Sequence, residues 1–297
     1  MLILGGSTSD PLGSRYSGFE GTWPDQLGKI LSQKSSLNLV IYNAAVGGAT
    51  SSQELLRMLL FLQQDLPEVI ISFNGLNEYY FNSNHLYGNF ENLYASKMVL
   101  QGLENNKIRV NNYYLCKNIC FDIRETNTYI LLTYIKNKFN DYFPFKNKDL
   151  TLYKKFDNVI SNQNKINFKR SAEIWRNNVL AMYAVAKSRN SKYLVFLQPT
   201  FGLDIDYDFV KKIYSSDNEN KAILSKIDEK YFVNLNYMYY FLRKFCNELS
   251  FCFDISKENS LNQNLDLLTD YRHHNKKGNF IIAKIVSEFL LNEIHQK

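Results

Sequence analysis

Short apolar runs alternate along this chain with longer stretches in which apolar residues recur every three or four positions. Runs of the first kind occupy residues 2–4, 37–42, 69–73, 193–197 and 251–253, and their length and β-branched or aromatic content predict strands. Between them the period changes. Thr22, Pro24 and Asp25 form a helix-start signature, with Thr22 as N-cap, so a helix is expected to about Gln33. Leu55, Leu56, Leu59 and Leu60 mark a second helix beginning near Ser52. Ile174, Val179, Met182 and Val185 mark a third over residues 171–189, and residues 231–248 a fourth. Ile282, Ile285, Val286, Phe289 and Leu290 line one face of a closing helix. Strands that alternate with helices describe βαβ units and a parallel sheet covered on both faces. The expected fold is therefore an α/β/α three-layer sandwich.

The alternation breaks between about residues 79 and 168, where the chain becomes aromatic, Asn-rich and basic. That is longer than a structureless loop inside a compact domain should be. With no internal repeat and no Gly/Ser or Pro-rich linker, the 297 residues read as one domain, 1–297, interrupted by a large and mostly helical insertion at about 79–168.

Composition changes this picture little. Hydrophobic residues make up 45% and charged residues 22%, which excludes a disordered or collagen-like chain. The net charge of +6 is too small and too dispersed for a nucleic-acid-binding signature, so no nucleic-acid partner is expected. The lysines Lys136, Lys138, Lys146, Lys148, Lys154 and Lys155 of the insertion read first as a solvated face and second as a weak contact for an anionic surface. Neither a membrane-length apolar run nor a signal-peptide pattern is present, which suits a cytoplasmic protein as written. Residues 2–4 already read as the tail of a buried strand, however, so a missing upstream segment would make the protein envelope-associated or exported. Cys116, Cys120, Cys246 and Cys252 have no zinc-ligand spacing and are expected to be reduced structural thiols.

Candidate chemistry collects where the strands end. In an open parallel sheet, ligands bind outside the carboxyl ends of the strands, where loops converge and helix N-termini point their N–H groups inward. Ser7 follows the first strand, Gly48 the second and Asn77 the third, while Asp270 and His273 precede the last helix. A serine nucleophile needs a base, the base needs an orienting acceptor, and a developing oxyanion needs N–H donors. These residues can supply all of them. His274 competes with His273 as the base. The glycine turn at Gly5-Gly6 has neither the G-x-G-x-x-G pattern of a dinucleotide site nor the lysine of a P-loop.

Taken together, Gly5-Gly6-Ser7-Thr8, the Gly48 loop, Gly75-Leu76-Asn77-Glu78 and Asp270-Tyr271-Arg272-His273 resemble the four sequence blocks of the SGNH, or GDSL, hydrolases. The run His274-Asn275-Lys276-Lys277-Gly278-Asn279 resembles that family's entry into its closing helix. The likeness covers about residues 1 to 78 and 171 to 297, and departs from the family where Gly6 replaces the usual Asp. It implies a flavodoxin-like sheet of five parallel strands. It also implies Ser7 as nucleophile and first oxyanion donor, Gly48 and Asn77 as further donors, His273 as base, and Asp270 as its orienting partner. The implied activity is a serine esterase acting on an acyl, O-acetyl, ester, on a carbohydrate or another small molecule, without metal or cofactor. A carbohydrate O-acyltransferase or a catalytically inactive binding module would use the same constellation. The insertion is expected to set the substrate.

Overall fold

A computed structural model describes residues 1–10, 21–34, 39–63, 67–83, 160–205, 207–214 and 228–295. In chain order the elements are β1 (Leu2–Gly5), α1 (Trp23–Lys34), β2 (Tyr42–Asn43), α2 (Ser51–Phe61), β3 (Val69–Asn74) and α3 (Leu76–Ser83), followed by α4 (Asn162–Ser188), β4 (Lys192–Leu197), α5 (Tyr207–Tyr214), α6 (Glu229–Asn247) and β5 (Cys252–Asp254). A short helix α7 (Asn259–Gln263) between two single 3-10 turns leads to the closing helix α8 (Lys276–His295). The strands form one parallel sheet in the order β2-β1-β3-β4-β5, the doubly wound order of flavodoxin-like folds.

The period-two alternation of the strands sorts their side chains into two cores. Ile3, Ile71, Phe73, Leu194 and Phe196 face one way and pack with Trp23 and Leu27 of α1 and Ile282 and Val286 of α8. Their neighbours face the other way. Ser72 donates to the Met182 sulfur, and Asn74 meets Trp175, both on α4. Burial on both faces explains why β1, β3 and β4 read as continuous apolar runs rather than alternating ones.

Two boundaries differ from expectation for physical reasons. The second strand, expected over residues 37–42, is the two-residue β2, an edge strand on which Tyr42 is 44% exposed, with Val40 just before it 55% exposed; residues 37 and 38 lie outside the described residues. Pairing to β1 continues through the Met1 amine to the Val40 carbonyl and from the Ala44 N–H to the Ile3 carbonyl. The third helix begins at Asn162 rather than Ser171, because Ser161 caps it by accepting from the Asn164 N–H. Its first turns are polar and present only Phe168 to the core before Ser171, so no apolar face announces them. The rest of the expected insertion, and its helical content, lies outside the described residues.

The cysteine expectation is corrected for one pair. Cys246, at the end of α6, and Cys252, in β5, form a disulfide with Cα atoms 5.2 Å apart. The tight return between helix and strand brings them together, with the Leu249 N–H bonded to the Cys246 carbonyl and the Cys252 N–H to the Leu249 carbonyl. Cys116 and Cys120 lie outside the described residues. No helix among the described residues is long and apolar enough to cross a membrane.

Candidate active site

β1 delivers Ser7 to the carboxyl edge of the sheet. The turn after it is fixed from several sides, since both the Ser9 and Asp10 N–H groups bond the Gly6 carbonyl. The Thr8 hydroxyl accepts from Gln198, and the Ser9 hydroxyl accepts from the Trp23 indole. The Asn43 amide donates to the Ser9 carbonyl. Ser7 is thus presented by a loop whose flanking residues are tied to β2, α1 and the end of β4.

Ser7 Oγ lies 2.7 Å from His273 Nε2. On the other side of the ring, His273 Nδ1 is 2.9 Å from Asp270 Oδ1 and 2.8 Å from Oδ2. Asp270 Oδ1 also accepts from the backbone N–H groups of Arg272 and His273 at 2.8 and 2.9 Å. Burial alone would push the Asp270 carboxyl up, but the hydrogen bond and charge of His273 and the two backbone N–H groups outweigh it, and the group sits below its ordinary value. The carboxylate is therefore ionised at neutral pH and can accept from Nδ1–H, an arrangement in which Nε2 can accept from the Ser7 hydroxyl.

His274, the competing base, points elsewhere. It is 1% exposed, and burial lowers its pKa from 6.5 to about 4, against a smaller opposing effect of the Leu261 carbonyl. Of the two adjacent histidines, only His273 meets Ser7. A stability signature follows from His274. Below pH 6.5 the unfolded chain takes up a proton that the folded chain refuses, so this contribution is complete above 6.5 and lost as pH falls toward 4. The full loss is about 3 kcal/mol by the usual linkage of 1.36 kcal/mol per pKa unit. Urea unfolding at pH 7 and pH 4.5 should show that His274→Leu loses less stability on acidification than the wild type; an equal loss in both contradicts the assignment.

Among the described residues, the loop after β2 leaves one donor unspent. Between Ala44 and Ser51, the N–H of Ala44 bonds Ile3, that of Ala45 bonds the Asn43 side chain, that of Val46 bonds Gly5, and that of Gly47 bonds Asp10 Oδ2 at 2.7 Å. The N–H of Ala49 bonds Val46, that of Thr50 bonds the Gln53 side chain, and that of Ser51 bonds Glu78. Among the described residues, no acceptor takes the Gly48 N–H, and none takes the Ser7 N–H. Gly48 has φ +76°, which favours glycine, and a Cβ there would meet nothing within 4 Å. The space beside it is open.

Asn77, in the first turn of α3, donates through Nδ2 to the Ala49 carbonyl at 2.7 Å, which leaves its second N–H for a ligand. A Cβ on Gly6 would stand 2.2 Å from that nitrogen. Gly6 is therefore the residue that lets the Asn77 amide lie against the Ser7 turn.

The five residues singled out in the sequence thus fall at one edge of the sheet. Two carboxylates went unread: Asp10, which holds Gly47, and Glu54, buried beneath the loop; Glu78, also buried there, was read only as the last residue of the Gly75-Leu76-Asn77-Glu78 block, without a role of its own. Tyr271 and Arg272 stand half-buried between Asp270 and His273, with the guanidinium 4.6 Å from the Tyr271 ring centroid and the ring edge-on to Tyr231.

The fold is similar to known esterases and lipases. Among solved structures similar to this chain is an acetyl xylan esterase, at 14% identity and TM-score 0.47, covering 96% of each chain. Another is the psychrotrophic esterase EstA from Pseudoalteromonas sp., at 13% identity and TM-score 0.46, covering 99% of this chain and 97% of that one. A GDSL-like lipase from Bacteroides thetaiotaomicron is similar at 9% identity and TM-score 0.43, covering 98% of this chain and 87% of that one. No protein-family model and no curated protein matches the sequence.

Proposed function

We propose that this protein is a serine esterase that cleaves an acyl ester through a covalent acyl-enzyme. The observation that carries this reading is the line Ser7 Oγ, His273 Nε2, His273 Nδ1, Asp270, with 2.7 Å at its first step and 2.8 Å at its last. As Ser7 Oγ attacks the carbonyl carbon, its proton passes to His273 Nε2, and the imidazolium is stabilised by Asp270. The carbonyl oxygen becomes an oxyanion and accepts from the N–H groups of Ser7 and Gly48 and from the Asn77 amide. The C–O bond to the alcohol then breaks, and the alcohol leaves with the proton from Nε2. Water, deprotonated by the same nitrogen, attacks the acyl-enzyme and releases the acid and Ser7.

The substrate favoured by this reading is an O-acetyl ester on a carbohydrate. Its support is the half-buried ring of Tyr271 between Asp270 and His273, a ring against which a sugar can stack, backed by the buried rings of Tyr231 and Tyr79. A ready Ser7–His273 pair weighs against an inactive binding module, whose signature would be a misaligned pair. Of the two compartments left open by the sequence, the Cys246–Cys252 disulfide favours an oxidising one, outside the cytoplasm.

The test is hydrolysis of p-nitrophenyl acetate with and without a sugar acceptor. An esterase releases acetate at a rate that the sugar leaves unchanged, whereas formation of acetylated sugar faster than acetate identifies an O-acyltransferase. Asn77→Ala should lower kcat by about 10²–10³ with little change in KM, the usual effect of losing one oxyanion donor. An unchanged kcat removes Asn77 from the mechanism.

A further inference from the structure

Beneath the Gly48 loop lies a pair of carboxyl groups that the mechanism above does not use. Glu78 Oε1 accepts from the Ser51 N–H at 2.6 Å, and Glu54 Oε2 accepts from the Asn74 amide at 2.8 Å. The side-chain oxygen Oδ1 of Asn74 accepts in turn from the Trp175 indole at 2.6 Å. From α4, the Asn178 amide donates to the hydroxyls of Ser51 and Ser52 at 3.0 and 2.9 Å. Glu54 is 0% and Glu78 4% exposed. Burial raises both carboxyls above their ordinary range, and the charge of Glu78 adds to the effect on Glu54. Keeping two acids in the interior is costly, and the hydrogen bonds they make offset part of that cost.

The bonds of Glu78 and Asn178 converge on the end of the Gly48 loop. Asn77 and Glu78 are consecutive residues of α3, and each grips the loop at a different point: Asn77 at the Ala49 carbonyl, Glu78 at the Ser51 N–H. On the upstream side Asp10 holds the Gly47 N–H. The Gly48 N–H, which no acceptor among the described residues takes, therefore lies between an Asp10 anchor and a Glu78 anchor. We propose that Glu78 is a positioning residue that fixes the start of α2 and so aims the Gly48 N–H at the oxyanion. Glu78 touches no reacting atom and acts through the loop. The proposal rests on the esterase reading of the site.

Two substitutions separate this role from plain packing. Glu78→Gln keeps an oxygen acceptor for the Ser51 N–H and cannot ionise; Glu78→Leu has similar bulk and no acceptor. A donor used in the transition state acts on kcat rather than KM. On p-nitrophenyl acetate, Glu78→Leu should lose ten- to a hundredfold in kcat at nearly constant KM, and Glu78→Gln should restore most of that loss. Hydrogen exchange of the peptide spanning residues 44–52, read by mass spectrometry, should be faster in Glu78→Leu than in the wild type, and near wild type in Glu78→Gln. Equal kcat losses in both variants overturn the proposal, as does a Glu78→Leu protein that is less stable but keeps the wild-type kcat per folded molecule. Should Glu78→Leu fail to fold, the comparison of Glu78→Gln with Glu54→Gln serves. Both should keep slow exchange over residues 44–52, and fast exchange in Glu78→Gln overturns the proposal. The exchange arm needs no turnover. An inactive wild type with a slow loop that Glu78→Leu releases defeats the esterase reading while upholding the anchor, whereas an active wild type with a loop indifferent to residue 78 does the reverse.

Discussion

Ser7→Ala should reduce ester hydrolysis by about 10⁶-fold, because the nucleophile of a serine–histidine pair carries nearly all of the covalent pathway. What remains is the contribution of the oxyanion donors and of substrate binding, since the N–H groups of residues 7 and 48 and the Asn77 amide stay in place. The fold should not suffer. Ser7 Oγ is hydrogen-bonded to His273 and the loop is tied down through Thr8, Ser9 and Asp10, so the stability change should stay within about 0.5 kcal/mol, as for substitutions that leave packing intact. Initial rates with p-nitrophenyl acetate, paired with thermal melts, give both numbers. Equal rates in the two proteins would show that the site does not act through Ser7.

Asp270→Asn is expected to lower kcat by about 10⁴-fold while leaving the protein folded. The asparagine oxygen can still accept the backbone N–H groups of Arg272 and His273, so the turn persists. Its NH₂ group, however, faces His273 Nδ1 where the carboxylate stood. The ring then carries its proton on Nε2, where it opposes the Ser7 hydroxyl as a donor and cannot accept its proton. A tautomer effect of this kind appears in kcat with normal folding. A loss of only a few-fold in kcat would show that Asp270 merely shapes the turn.

How much of this was visible in the chain depends on how local the cause is. β1, β3 and β4 stand out because both of their faces are buried, and α8 because its apolar face is regular. β2 is an edge strand that stops after two residues, and the start of α4 is polar, so neither boundary leaves an apolar trace. The disulfide depends on a turn that brings Cys246 and Cys252 together, which spacing alone does not reveal. In the site, Ser7, Gly48, Asn77, Asp270 and His273 each follow a strand or precede the closing helix, so their order along the chain already points to one edge. Asp10 and Glu54 were illegible because their partners, Gly47 and Asn74, lie 37 and 20 residues away; Glu78 stood in a quoted block, but its hold on Ser51, 27 residues away, left no trace in the sequence. Nothing in a glutamate's own neighbourhood says that it will be buried beneath a loop.

The most direct measurement is the mass of the protein after incubation with a p-nitrophenyl alkylphosphonate. Attack by Ser7 Oγ forms an O–P bond, p-nitrophenolate leaves, and the phosphonyl oxygen is held where the oxyanion would be. The expected result is one adduct per chain, on the peptide that contains Ser7, absent from Ser7→Ala and formed far more slowly by His273→Ala. An enzyme that hydrolyses p-nitrophenyl acetate yet takes up no phosphonate at Ser7, or takes it up at another residue, would contradict Ser7 as the nucleophile.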